Sequence, residues 1–290
     1  MDVGGSSIKY ALAGPDRHLT EHGKVKTPHD DRGAYLDALA EIYRPFRGRV
    51  EGIAMSVPGI IDSEGGLCKT TGALGLGEDF PLVQELEARC GVPVTILNDA
   101  KAAALAEASW GSLAGCASGI VIVLGTGIGG ALILDGKVLA GKHFAAGEFS
   151  TICMDAHHDD LFHTWCSLNG SSKLITTAAY ARGVDPAAVT GEDVFRWVNE
   201  GDEAVCMALD SFTLTLAGMI RNLQLIFDPE RIAIGGGISQ QPKLMESLHK
   251  NLDQVERMAA RHGMPRADVV TCKYYNDANL IGAYAYYVQR

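Results

Sequence analysis

Two stretches of this chain have the residue types and spacing to hold a polyphosphate. Asp2-Val3-Gly4-Gly5-Ser6-Ser7-Ile8-Lys9 opens the sequence, and Leu124-Gly125-Thr126-Gly127-Ile128-Gly129-Gly130 stands near its middle. In each, a glycine turn leads into an apolar run: Tyr10-Ala11-Leu12-Ala13 after the first, Ala131-Leu132-Ile133-Leu134 after the second. Glycine has no Cβ to keep an anion away from backbone N–H groups, and it takes positive φ freely. One such turn is weak evidence, since most only reverse the chain. Two, in two halves of one sequence, suggest a duplicated domain that grips a single polyphosphate from both sides.

Such loops need strands and helices to position them. The first half reads as strand, turn and strand, with a third strand around Gly23–Thr27. A helix is expected over Arg32–Arg47, where Tyr35, Leu36, Leu39, Ile42 and Tyr43 recur at helical spacing. Val50–Val57 reads as a buried strand stopped by Pro58-Gly59, and 62–79 as a glycine-rich loop over a binding cleft. Phe80–Cys90 reads as a helix, Val92–Leu97 as a strand, and Ala100–Trp110 as an Ala-rich helix entered through Asn98-Asp99. The second half repeats the plan, with a strand at Gly119–Leu124 and a hairpin turn at Asp135-Gly136. Residues 153–170 look irregular and His-rich. Helices follow at Gly170–Arg182, Gly191–Glu200 and Glu203–Phe227. A strand at Arg231–Ile234 runs into Gly235-Gly236-Gly237, and a helix, a strand at Asp268–Thr271 and a closing helix from Asp277 complete the chain. Alternating strands and helices define an α/β protein. With no low-complexity linker between the halves, a hinged cleft is expected.

Composition narrows the function. A length of 290 residues allows two domains, each with its own core. The net charge of −10 and the lack of any Lys/Arg cluster speak against nucleic acid, which is neutralised by clustered cations. No uninterrupted apolar run reaches the ~18 residues of a membrane span, and no secretory leader is evident, so a cytoplasmic location is expected. The seven cysteines are scattered and form no CxxC pair, as in a protein with reduced thiols. An acidic chain can still hold ATP through glycine loops, helix N-termini and Mg²⁺.

Together with Asn98-Asp99-Ala100, Gly147-Glu148 and the run Ile232 to Ser239 (IAIGGGIS), the two loops form an ordered set that resembles the ROK family. That family comprises bacterial sugar kinases and related repressors of the actin–hexokinase superfamily, and the resemblance spans essentially the whole chain. It implies duplicated ribonuclease H-like, actin-like ATPase domains, residues 1–108 closed by the helix 277–290 and residues 109–276. It implies ATP and Mg²⁺, and a sugar hydroxyl as acceptor: the 6-hydroxyl of a hexose or of the non-reducing glucose of a β-glucoside. Asp2, Gly4, Gly5, Ser6 and Lys9 would hold the γ-phosphate region, with Asp2 serving Mg²⁺. Gly125, Thr126, Gly127 and Gly129 would hold the other side of the phosphates, and Gly235, Gly236 and Gly237 the adenosine end. Asn98, Asp99, Glu148 and Gly59 would meet the sugar. Asp99 is assigned as general base, because a carboxylate must accept the hydroxyl proton as the P–O bond forms. The bland alternative is that Asn98 or Asp99 only caps the next helix. A homodimer is expected from the family, with sugar and nucleotide as the only other partners and neither nucleic acid nor membrane.

Three departures from the family pattern carry consequences. The His of the family's Gly-Glu-x-Gly-His is replaced by Thr151, and of its CxCGxxGCxE zinc motif only Cys166 survives, with Lys173 at the Glu position. One thiolate cannot make a closed tetrahedral site, so no structural zinc is expected. A metal site from His157, His158, His163 and Cys166 is disfavoured as well. Loss of that His and Glu opens the anomeric end of the sugar pocket, as in the zinc-free members that resemble β-glucoside kinases. Trp165, Phe149 and Phe144 are candidates for an apolar platform under a second ring, although aromatic side chains more often belong to the core. The third departure is the strand before the first loop, which is almost missing and whose loss would lower stability and activity. Two other readings stay open: a catalytically weak sugar-binding regulatory protein, and a repressor. The second is disfavoured because the sequence starts at the phosphate loop, without room for a helix-turn-helix domain.

Overall fold

The computed structural model describes residues 1–158 and 160–290, with only the backbone described at 258 and 259. In chain order its first half contains β1 (Asp2–Val3), β2 (Ser7–Ala13), β3 (Leu19–Lys26), α1 (Arg32–Tyr43), β4 (Ile53–Val57), β5 (Ile61–Asp62), β6 (Leu67–Cys68), α2 (Leu82–Cys90), β7 (Val94–Asn98) and α3 (Asp99–Trp110). There follow β8 (Ser118–Leu124), β9 (Ile128–Leu134), β10 (Lys137–Val138), α4 (Trp165–Asn169), α5 (Ser171–Arg182), α6 (Gly191–Glu200), α7 (Glu203–Phe227), β11 (Arg231–Gly235), α8 (Pro242–Arg261), β12 (Val269–Thr271) and α9 (Ala278–Val288).

These elements form two compact units. Unit 1 comprises Met1–Ser109, Ala140–Ala146 and Asp277–Arg290; unit 2 comprises Trp110–Leu139 and Gly147–Asn276. The segment 140–146, read from sequence as part of the second half, thus packs with the first. Each unit is built on a five-stranded sheet, ordered β3-β2-β1-β4-β7 in unit 1 and β10-β9-β8-β11-β12 in unit 2. In both, the first three strands pair antiparallel and the other two pairings are parallel. The duplication suggested by the glycine loops is therefore a repeat of strand order and direction.

In unit 1, Tyr35, Leu36, Leu39, Ile42 and Tyr43 of α1 are buried in one cluster with Ile53, Met55 and Val57 of β4 and with Leu82 and Leu86 of α2. Asp31 caps α1 by accepting from Ala34 N. The helix stops at Tyr43 rather than Arg47, where a 3-10 turn containing Pro45 takes over; proline has no N–H to continue the ladder. α2 starts at Leu82 rather than Phe80, because Phe80 exchanges two backbone hydrogen bonds with Cys68 and Pro81 follows. The first strand is short but present: Asp2 pairs with Lys9 of β2 and with Ser56 of β4.

In unit 2, the 25-residue α7 buries Leu209, Phe212, Leu216, Ile220 and Leu223 in the core with strands β8 and β11. Its mean hydropathy of 1.4 would suit a membrane span, but half of that window is buried in the core, as expected of a central helix in a two-layer domain. The stretch 153–170 is more ordered than its sequence suggests, with a 3-10 turn at Leu161–His163 and then α4.

Candidate functional site

In unit 1 the site is assembled by the C-terminal ends of parallel strands and by the first hairpin. β4 ends at Val57 and is followed by Pro58 and Gly59; β7 ends at Asn98, and Asp99 is the first residue of α3. Asn98 Oδ1 accepts from Lys101 N at 3.1 Å and so caps α3, while its Nδ2 donates to Gly59 O at 2.9 Å. The capping reading holds for Asn98, and it leaves Asp99 half-buried at the helix start with Oδ1 accepting from Ala100 N at 2.8 Å. The Asn98 amide also hydrogen-bonds the Asp99 carboxylate, so both its donors are taken and only Oδ1 keeps a lone pair for a ligand hydroxyl.

Asp99 shares this corner with a second carboxylate. Asp2 is buried, and its Oδ1 accepts from Ser56 Oγ at 2.6 Å and from Asn279 Nδ2 at 2.9 Å. Withdrawal from water pushes the Asp99 pKa above the ordinary carboxylate value, against the hydrogen bond from Ala100 N, and the nearby Asp2 charge adds to the rise. A carboxylate with a raised pKa at a strand end is a fitting proton acceptor. The turn before it is pinned: Gly4 N donates to Ser7 O, Thr27 Oγ1 donates to Gly4 O, and a ring nitrogen of His29 lies 2.6 Å from Gly5 O. Gly5 and Ser6 at its tip are exposed, and Lys9 lies beyond the turn within β2.

Sequence reasoning missed three residues of this corner. Ser56 and Asn279 orient Asp2. Lys101, only 3% exposed, places its ammonium 2.5 Å from the carbonyl of Phe144, in the segment 140–146. Phe144 sits at φ 61°, a conformation rare for aromatic residues. A serine inside the apolar run 53–57 and a lysine inside the Ala-rich run 100–106 were the available signals. Nothing local marks Asn279.

In unit 2 the corresponding turn is bare backbone. Gly125 O accepts from Ser171 N at 2.8 Å, at the start of α5. A Cβ on Gly127 would lie 2.6 Å from Cys166 Sγ, so the surviving cysteine of the expected zinc segment packs directly under this turn. Thr126 is exposed at the tip, and Gly129 is already inside β9, opposite Val123. Gly235 pairs with Val123, and Gly236 follows at φ 94°, where a Cβ would come within 2.2 Å of Leu124 O. Gly237 begins a 3-10 turn with open space around its Cα. The loops at 125–127 and 235–237 thus meet at the ends of adjacent strands β8 and β11. Glu148 lies after Gly147, whose added Cβ would press on Ala131 of β9.

The aromatic platform is corrected. Trp165 and Phe149 are 0% and 4% exposed, with ring centroids 5.5 Å apart, and they belong to the core of unit 2. Trp165 Nε1 spends its proton on Asn169 Oδ1. The His-rich segment forms an exposed stack of His158 and His163, each beside an aspartate, Asp155 and Asp160. Among the described residues no group of three or more His, Cys, Asp or Glu could hold a metal ion. Mg²⁺ does not need such a cage, since it binds through one or two carboxylates, waters and substrate phosphates. Asp2 and Asp99 fit that mode.

The chain is similar to known proteins along its whole length. The sequence matches the ROK family over residues 1–290. A beta-glucoside kinase of Klebsiella pneumoniae is 32% identical, covering 100% of this chain and 95% of that protein. A ROK family protein of Streptococcus pneumoniae solved in complex with sucrose superposes with a TM-score of 0.87 at 28% identity, covering 99% and 96%. A ROK hexokinase of Thermus thermophilus gives a TM-score of 0.81 at 26% identity, covering 99% and 97%.

Proposed function

The chain belongs to the ROK family, and from that premise we propose that it transfers the γ-phosphoryl group of ATP to a sugar hydroxyl. The observation that carries this reading is the Asp99 carboxylate, held at a strand-to-helix junction with its pKa raised by burial and by Asp2. Phosphoryl transfer requires positioning and charge stabilisation more than covalent help. Asp99 takes the proton of the acceptor hydroxyl as the P–O bond forms. Asn98 is fixed by Gly59, Lys101 and Asp99, so it offers its remaining Oδ1 lone pair to a sugar hydroxyl, with Glu148 as a second sugar contact. The glycine turns offer backbone N–H groups to the phosphates: Gly4 to Ser6 in unit 1, Gly125 to Gly127 and Gly235 to Gly237 in unit 2. Asp2, locked by Ser56 and Asn279, is the residue to hold Mg²⁺, which when bound supplies neutralising charge for the phosphate oxygens.

The acceptor is the 6-hydroxyl of the non-reducing glucose of a β-glucoside. Support comes from the beta-glucoside kinase similarity and from Thr151 and Lys173, both exposed, at the places of the family's His and Glu. An ADP-release assay with Mg·ATP over glucose, N-acetylmannosamine, cellobiose and gentiobiose tests the reading. Turnover of the two disaccharides is expected. Turnover of monosaccharides alone would remove the β-glucoside assignment and keep the kinase, and no turnover of any sugar would remove both.

A further inference from the structure

The turn Gly4–Ser6 is held from behind by the residues that follow β3. Thr27 Oγ1 donates to Gly4 O at 2.7 Å, Thr27 N donates to Ser6 O at 3.3 Å, and His29 Nε2 lies 2.6 Å from Gly5 O. All three carbonyls of the turn are thereby engaged, so what it offers an anion is its N–H groups. The other ring nitrogen of His29, Nδ1, lies 3.1 Å from Ala73 O, in the loop 69–79. One imidazole thus bridges two segments of unit 1 that are far apart in sequence.

The loop leads on to the acceptor side of the same corner. Ile60 N donates to Thr70 Oγ1 at 3.0 Å, and a Cβ on Gly59 would lie 2.3 Å from Thr70 O, so the loop backs directly onto Gly59. Gly59 O in turn accepts from Asn98 Nδ2. A backbone carbonyl only accepts hydrogen bonds, and a neutral imidazole has a single N–H. One nitrogen of a neutral His29 would therefore turn its lone pair on a carbonyl oxygen, whereas the imidazolium, with two N–H groups, satisfies both. His29 is exposed, so it trades protons freely with solvent. The ionisable groups of the segments it joins are Lys26, Asp30, Asp31 and Arg32 on its own side and Lys69, Glu78 and Asp79 on the loop, with none in the turn between Asp2 and Lys9. Lys69 pairs with Asp79 at 2.9 Å, and Asp31 Oδ1 accepts from Ala34 N. Arg32 donates to Leu76 O and Glu78 O, so it holds the far end of the loop at any pH.

We infer that His29 is a positioning residue: as the imidazolium it clamps the phosphate turn to the loop that backs Gly59 and Asn98, and on losing its proton it lets that loop go. Nε2 makes the shorter contact and keeps the remaining proton, so Ala73 is the partner released. The phosphate turn and the Asn98 corner are held together below the range in which imidazoles titrate and more loosely above it. This role rests on the kinase reading of the same corner, so its first readout is one that needs no turnover.

Amide hydrogen exchange, corrected for its intrinsic pH dependence, is measured on the unliganded chain at about pH 5.5 and about pH 8.5, on either side of that range. The reporters are Leu74 and Leu76, both buried, whose N–H groups bond Thr71 O and Thr71 Oγ1. Wild-type protection at these amides should fall about tenfold from the lower pH to the higher, as for the loss of one charged hydrogen bond. It should be low at both in His29→Gln, whose amide donates at one end only, and high at both in His29→Arg, whose guanidinium only donates. Relative to His29→Arg at the same pH, which cancels the titration of Asp99, the wild-type kcat/KM for Mg·ATP with cellobiose should fall by a similar factor. Wild-type protection that is constant with pH, or that changes as much in His29→Gln, would overturn the clamp. So would a constant kcat/KM ratio in a chain whose protection does change. No turnover in any of the three removes the kinase reading, and the exchange data then decide for or against the clamp.

Discussion

The hairpins β1–β2 and β8–β9 occupy the same place in the same strand order, yet their side chains differ in kind. Asp2 pairs with Lys9 and stands beside Ser56. Its counterpart Val123 pairs with Gly129 and stands beside Gly235. The next strand of unit 1, β7, runs into Asn98-Asp99 and a helix, whereas β12 runs into Cys272 and then Lys273, whose ammonium is turned to Trp110 O. One copy of the scaffold gathers carboxylates, Asp2 and Asp99; the other has valine in place of Asp2 and glycine in place of Lys9 and Ser56. Buried charge is costly unless it is paired or used, and Asp2 is paired with Ser56 and Asn279. Bare backbone suffices where an anion has only to be held.

Removing the carboxylate from the first copy should have the largest effect. Asp99→Asn is expected to lower kcat about 10³-fold, within the range for a lost general base, as read by ADP release. The same variant should be more stable than wild type at neutral pH. Burial raises the folded-state pKa of Asp99, so this group favours folding only while protonated, and that contribution is lost as pH rises through the folded pKa. A lower Tm for Asp99→Asn at pH 7 would show that the carboxylate is not strained there.

Adding a side chain to the second copy should act on nucleotide instead. Gly236→Ala puts a Cβ 2.2 Å from Leu124 O at φ 94°, which should cost about 1–3 kcal/mol and raise the KM for ATP about tenfold or more. Gly127→Ala is a milder and reversible version. Its Cβ meets Cys166 Sγ at 2.6 Å, so KM for ATP should rise several-fold, and adding Cys166→Ala should restore most of it. Additive losses in the double variant would mean that the two atoms do not collide.

Much of this contrast was legible in the sequence. Both glycine turns, the Pro58-Gly59 stop and the Asn98-Asp99 junction are local signals, because turn chemistry and hydrophobic period are written within a few residues. What escaped depends on contacts between distant parts of the chain. Asn279 reaches Asp2 across 277 positions, and the segment 140–146 joins unit 1 through a lysine on α3. For Trp165 and Phe149 the core was the commoner expectation, but an aromatic residue in an irregular segment carries no period to reveal its face. Pro45 and Pro81 were visible as helix limits and were passed over in favour of the longer apolar pattern.

Calorimetric titration of ATP into Asp99→Asn and Gly236→Ala, side by side, separates the two copies most directly. Asp99→Asn should bind ATP within about twofold of wild type while its turnover is lost, and Gly236→Ala should bind at least tenfold more weakly. Weakened binding in Asp99→Asn with unaltered binding in Gly236→Ala would contradict the division of chemistry and nucleotide binding between the two units.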